Sequence, residues 1–375
     1  MTHTKMSALT LALCGVPAFA ATAYGACPDE AAIFLFDQSN SMNDPGAVTG
    51  GTTPKRDIAL TLAKNYLAAL PSDTPIAVYG LGNQPQFSSP FSNIIADFSA
   101  GYTAGPSAAA ITTAFQSAHD QTITGNLWTP LAGSICQAID DITVNLVTQT
   151  TIPFTCIVPA TPGGTPPTKF QVYLMSDGGE NSTPTGDQCQ GTESTTAFSA
   201  AAAGTGFGLS AGSWQRKVAD KAYTLDALSD GLPTGAFQII MNISLLFSFT
   251  NSLGGSVGID GQGPVSPDLQ DTIPPAFSTF LGSFASATKG SYFESKMVNG
   301  VPTKLPLAGD TDPSPSRSCV DSADINRVLS AVGHKVSGTD TMFSLQDLIS
   351  RDVNHDLIID LRDYQVVIKN FGKCS

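Results

Sequence analysis

The chain has 375 residues, 42% of them hydrophobic and only 13% charged, with 35 Gly and 25 Pro. That apolar content supports a sizeable core and excludes wholesale disorder, and the length suits two or three domains. With 18 Lys+Arg against 31 Asp+Glu the net charge is −13, the wrong sign for nucleic acid or anionic lipid partners, and 4 His leave little material for imidazole catalysis.

Residues 1–26 read as a secretory signal: Lys5 supplies the basic start, Met6 to Ala20 the apolar stretch, and small residues follow. Cleavage falls after Ala20 or nearer Ala26. Gly15 and Pro17 interrupt the run, which is short of the roughly 20 apolar residues needed to span a membrane. No later segment is long and apolar enough to span, and Phe237–Phe249, the nearest, reads as a buried strand. The expected location is secreted or at the cell surface, with the periplasm as an alternative. Removing the signal leaves an even set of cysteines, Cys27, Cys136, Cys156, Cys189, Cys319 and Cys374, as expected for disulfides in an exported chain.

Ala31–Phe36 (AAIFLF) and Phe170–Met175 (FQVYLM) are continuous apolar runs, the pattern of strands buried on both faces. Ile76–Leu81, Phe237–Leu246 and Ser291–Phe293 are further strands, and a hairpin leads into Asn93–Phe98. Helical periodicity marks Lys55–Leu70, Ser107–His119, Pro130–Val147, Val218–Leu228 and Ala276–Ala287. Strands alternating with helices predict an α/β fold, a doubly wound, mainly parallel sheet covered on both sides. Residues 187–213, rich in Ala, Gly, Ser and Thr, read as a surface insertion, and Gly204-Thr205-Gly206-Phe207-Gly208 within them as a flexible loop. Residues 295–318 read as a Pro-rich linker, and 319–375 as a small helical module. The α/β domain then covers 27–294.

Asp37-Gln38-Ser39-Asn40-Ser41 follows the first strand, Ser176-Asp177-Gly178-Gly179 follows FQVYLM, and Thr129 stands at the entry to the long helix. In an open α/β sheet, ligands collect at the carboxyl ends of the strands where strand order reverses. Asp37, Ser39, Ser41, Thr129 and Asp177 form an oxygen-only set, suited to Mg²⁺, Mn²⁺ or Ca²⁺ and unsuited to Zn²⁺ or copper. Alternate residues of D-x-S-x-S project toward one point, giving one anionic and two neutral oxygens. This combination resembles the von Willebrand factor A domain with its metal-ion-dependent adhesion site. The resemblance implies direct ligation by Ser39 and Ser41, contacts through water by the two Asp residues, and a carboxylate of a protein or matrix partner completing the shell.

A second pattern runs from Asp352 to Asp363. Asp352, Asn354, Asp356, Asp360 and Asp363 stand at positions 1, 3, 5, 9 and 12 of a calcium loop, with the Ile358 carbonyl at position 7. Helical patterns flank it, Phe343–Ser350 before and Tyr364–Phe371 after. Asp replaces Glu at position 12, and Leu357 stands at position 6 where Gly normally permits a left-handed turn, so a strained loop is expected. The region resembles a dockerin module, which carries two such loops and implies a cohesin-like scaffold as partner. Of the upstream loop only the second half, Cys319 to Ile325, and an exit helix, Ile325–Val332, are legible. Its first half reads as Pro313, Pro315 and Arg317, which are not ligands. The exposed contact pair expected of a dockerin is not evident at Ser322-Ala323 or Leu361-Arg362. Dockerin ends meet, which implies a Cys319–Cys374 disulfide; sheet geometry suggests Cys27–Cys156 and Cys136–Cys189.

A serine hydrolase elbow, H-E-x-x-H, a phosphate-binding G-x-x-x-x-G-K-[ST] and a strand-linked G-x-G-x-x-G are all absent. His119, His334 and His355 read as surface residues. The expectation is a non-enzymatic, secreted adhesion or interaction protein. The alternatives are a scaffold component whose dockerin-like end does the binding and, behind it, a polysaccharide-degrading component.

Overall fold

The computed structural model describes residues 30–46, 53–70, 74, 76–82, 91–96, 108–124, 129–142, 169–177, 180, 183, 185–230, 238–247, 275–295, 297–298, 301–302, 304–312, 319–337 and 339–374. The signal segment, Cys27 and Cys156 lie outside these, and the expected Cys27–Cys156 pair with them.

Six strands form one sheet: β1 (Glu30–Asp37), β2 (Ile76–Leu81), β3 (Phe91–Ala96), β4 (Lys169–Ser176), β5 (Gln238–Leu246) and β6 (Tyr292–Ser295), in the order β3-β2-β1-β4-β5-β6. All neighbours run parallel except β3, which pairs antiparallel with β2 at one edge. Every residue of β1 and β2 is buried, which explains why their sequences show no alternation of apolar and polar residues. Helices α3 (Leu131–Ile142), α4 (Trp214–Asp230) and α5 (Pro275–Ala287) cover one face, packing Ile135, Trp214, Val218 and Phe280 on Ile33, Leu35, Val172 and Leu174. The opposite face packs Phe34, Phe36, Tyr173 and Met175 against α1 (Lys55–Ala69) and α2 (Ala108–Thr124) through Ile58, Leu62, Ile111 and Phe115. This is an α/β fold with a parallel sheet, compatible with a Rossmann-like arrangement.

From β1 the chain builds outward through β2 to β3, then returns to place β4 on the other flank of β1. Strand order therefore reverses between β1 and β4, opening a crevice beyond their carboxyl ends, at Asp37 and Asp177.

Two stretches are more structured than their composition suggests. Within 187–213, Phe198 and Phe207 stack at 5.3 Å between ring centroids, and Phe207 and Leu209 enter the core beside Trp214. A Cys136–Cys189 disulfide ties this stretch to α3. In the stretch read as a linker, two short strands pair antiparallel, β7 (Met297–Val298) with β8 (Val301–Pro302). Beyond them Leu305 packs on the α1 face of the sheet, and Leu307 and Ala308 on the C-terminal helices. Beyond the strand pair, spaced apolar side chains and a hydrogen bond from Asn65 Nδ2 to Pro306 O at 3.1 Å hold the strap down.

The C-terminal segment contains α6 (Ser322–Ala331), α7 (Leu345–Arg351) and α8 (Leu361–Asn370), closed by a Cys319–Cys374 disulfide whose flanks pair through Val320 N–H to Lys373 O and Gly372 N–H to Val320 O. Its core of Val328, Leu348, Ile359 and Val367 also takes in Ala69 of α1 and Ile240 of β5. Gln171 of β4 donates from Nε2 to Asn354 O at 2.9 Å, so the segment docks on the amino edge of the sheet, opposite the crevice. Among the described residues no helix is long and apolar enough to cross a membrane.

Candidate metal centres

At the carboxyl edge, β1 ends on Asp37 and the chain turns through a short 3-10 turn, Asn40–Asn43. The turn holds because Asp37 Oδ1 accepts from Ser39 N–H at 2.8 Å. Asp37 Oδ2 accepts from Ser176 Oγ at 2.6 Å and from Thr129 Oγ1 at 3.5 Å. On the other side of the crevice, Asp177 Oδ1 accepts from Ser41 Oγ at 3.0 Å and Ser39 Oγ at 3.4 Å, and the two serine oxygens lie 3.1 Å apart. Asp37, Ser39, Ser41, Thr129 and Asp177, drawn from three separate segments, therefore meet at one point. Asp37, Ser39, Thr129 and Asp177 are buried, and Ser41 is half-buried. Burial raises the Asp37 carboxyl above its ordinary range, opposed by hydrogen bonds from Ser176 and Ser39.

Sequence reasoning did not assign three neighbouring features. Ser176 hydroxyl orients Asp37. Glu180 accepts from Ala132 N–H at 2.6 Å and Thr183 Oγ1 at 2.7 Å, while Thr183 Oγ1 accepts from Gly133 N–H, so this pair caps the start of α3. The third is Lys55, whose Nζ lies 2.5 Å from Asp177 Oδ2 with both side chains fully buried. A lysine opening an amphipathic helix carries no sequence signal for this. The oxygen-only donors and two carboxylates fit a hard divalent cation; the ammonium already balances one of the two charges.

In the C-terminal loop Asp352, Asn354, Asp356 and Asp363 are all buried, while Asp360 is half-buried at the mouth of α8. The carboxylates fold the loop by accepting its amides. Asp352 takes Asp356 N–H and Leu357 N–H, Asp356 takes Ile358 N–H, and Asp363 takes Val353 N–H and Asp360 N–H. Asp360 and Asp363 form a reciprocal capping box at the start of α8. Burial, then repulsion from Asp363 and Asp356, pushes the Asp352 carboxyl well up, and burial chiefly lifts Asp363 to about 7. Arg362 offsets part of the charge, its Nη2 2.5 Å from Asp356 and 3.1 Å from Asp360. The donor chemistry fits a hard divalent cation such as calcium, whose charge would offset both the burial and the repulsion that raise these groups. Leu357 does adopt the left-handed conformation, φ +68°, as does His355 at +59°.

The upstream loop differs from its sequence reading. Thr311 N–H donates to Asp324 Oδ1 at 2.7 Å, as Val353 N–H does to Asp363, and Asp321 with Asp324 repeats the capping box. Asp310 and Asp312 thereby stand where Asp352 and Asn354 stand in the second loop. One ligand oxygen from each of Asp310, Asp312 and Asp324 lies within 4.8 Å of the others, a group able to hold a metal ion. The loop is three residues longer between its first and last acids, 310 to 324 against 352 to 363, so a twelve-residue loop ending on Asp324 begins at Pro313 and misses the acids. The repeated capping box, followed at the same distance by Gly333 and Gly372, both at positive φ, is the signal that finds it.

The histidines stand apart from the crevice cluster. His119 bridges Asp57 at 2.5 Å and Asp120 at 2.8 Å, and His334 pairs with Asp340 at 2.7 Å. His355 is not a surface residue: burial holds its imidazole down at about 4, and its Nδ1 has no hydrogen-bond partner. Its ring lies edge-on to Tyr173 at 6.5 Å. No family model matches the chain, and no curated protein shows significant similarity to it.

Proposed function

We propose that the chain is an exported binding protein in which a von Willebrand A-like domain uses one divalent cation, Mg²⁺ or Mn²⁺ with Ca²⁺ as the alternative, to capture a carboxylate of a protein or matrix ligand. A dockerin-like C-terminal module binds calcium beside it. The observation that carries this reading is the convergence of Asp37, Ser39, Ser41, Thr129 and Asp177 at the strand-order reversal. Two acids balance the charge of a hard divalent cation, and the neutral hydroxyls leave a coordination position for a guest anion. The even cysteine set and the two disulfides support an oxidising destination. The crevice cluster contains no imidazole, which favours capture over acid–base chemistry. The test uses Asp37→Asn, which keeps the shape of the side chain. Immobilised wild-type protein retains a set of secreted proteins that is lost with chelator and lost in Asp37→Asn at an unchanged melting temperature. Identical retention in all three conditions overturns the reading.

Burial of Asp37 and Asp177 favours a second reading, in which the ion stabilises the domain and the C-terminal module makes the contact with a scaffold. In that case chelator lowers the melting temperature, and retention follows Asp363→Asn instead.

A further inference from the structure

Lys55 is the first residue of α1, and its position is set by more than the helix. Its N–H donates to Asp44 O at 2.9 Å, Gly46 N–H donates to Thr53 O, and Pro45 bridges Pro54, so the two legs of the 44–55 loop are closed on each other at the crevice. A side chain on Gly46 would begin 3.3 Å from Lys55 Cγ, and the lysine is fully buried. The ammonium then meets Asp177 Oδ2 with no exposure to water, on the carboxylate oxygen opposite the one that accepts from Ser39 and Ser41.

Resting on the cation-site reading above, we propose that Lys55 is a built-in counter-ion that competes with the divalent cation, so metal enters only as the ammonium withdraws from Asp177. The two carboxylates carry two negative charges and the ammonium one positive. A divalent ion added with Lys55 in place would leave an excess positive charge buried, whereas exchange leaves the site neutral. In a low-dielectric crevice that difference decides occupancy. Without metal the ammonium leaves the site a single negative charge, so the site responds only to cation concentrations high enough to expel the lysine.

The test is Mn²⁺ binding followed by electron paramagnetic resonance on the full chain, the crevice site being the equivalents lost in Asp37→Asn. Lys55→Met keeps the packed stem and removes the charge. It is expected to tighten Mn²⁺ at that site by at least about tenfold, as removal of one buried like charge demands. Equal affinity in Lys55→Met and wild type overturns the competition while leaving the cation site standing. If Asp37→Asn loses no Mn²⁺ equivalents, the cation site itself falls. Should Lys55→Met fail to fold, acetylation mapping of wild-type protein decides: Lys55 is protected in chelator and becomes reactive in Mn²⁺. Protection that persists in the Mn²⁺-loaded protein overturns the proposal.

Discussion

Leu357 gives the sharpest quantitative test of how the C-terminal loop is held. It is only 6% exposed, at φ +68°, and its N–H donates to Asp352 Oδ2 at 2.7 Å. A left-handed backbone costs a non-glycine residue about 1–2 kcal/mol. Replacing leucine by glycine removes that strain but empties a site packed with Val353, Ile359 and Val366, and large-to-small changes in cores cost about 2–5 kcal/mol. The extra freedom of glycine in the unfolded chain adds roughly 0.5–1 kcal/mol of loss. The balance is a net destabilisation of about 0.5–5 kcal/mol, so Leu357→Gly lowers stability even though it restores the residue that calcium loops usually carry there. Urea unfolding in chelator, followed by circular dichroism, measures it. At the proposed calcium site, affinity is expected to change by less than about threefold, because the left-handed turn is already formed in the absence of an ion. A variant as stable as wild type, or more stable, would refute the argument that packing outweighs backbone strain here.

Gln171 is buried and donates to Glu30 Oε2 and Asn354 O, both at 2.9 Å; Gln171→Leu is expected to lose about 2–3 kcal/mol and to speed amide exchange at 353–357, and unchanged exchange there would mean that the loop is held without the sheet. The Cys136–Cys189 disulfide spans 53 residues, so the Cys136→Ser/Cys189→Ser double variant loses about 4 kcal/mol against urea, and a loss under about 1 kcal/mol would show that the 187–213 packing suffices alone. Asp340 is held at about 2, first by the His334 hydrogen bond and then by the amides of Phe343 and Met342. Its folded value lies below its unfolded one, so the stability it contributes is present above the ordinary carboxylate range and is lost as pH falls through about 2. Carbon-13 titration of wild type should show that midpoint, and His334→Ala should move it up toward 3.8; an unmoved midpoint contradicts the assigned cause.

The strands were legible because parallel strands covered on both faces must be apolar throughout, and AAIFLF and FQVYLM admit few other readings. The crevice cluster was legible for a related reason: polar residues directly after such strands emerge at one sheet edge. Lys55 was not legible, since the spacing that puts Ile58 and Leu62 in the core says nothing about a lysine turning inward at the helix start. Phe198 and Phe207 were hidden by small-residue surroundings, and their burial depends on α5, which supplies Phe280 and Phe284 from far along the chain. Asp310 and Asp312 were missed because a fixed loop length was assumed where three residues had been added.

The shared core of Ala69, Ile240 and the C-terminal helices also determines how the protein can be divided. Cutting the chain after Glu294 would strip a wall from the larger unit, baring Ile240 and leaving Gln171 without an acceptor that it has in the intact molecule. Expression of the α/β half alone should therefore give an aggregating product. The practical unit for handling this protein runs through Cys374.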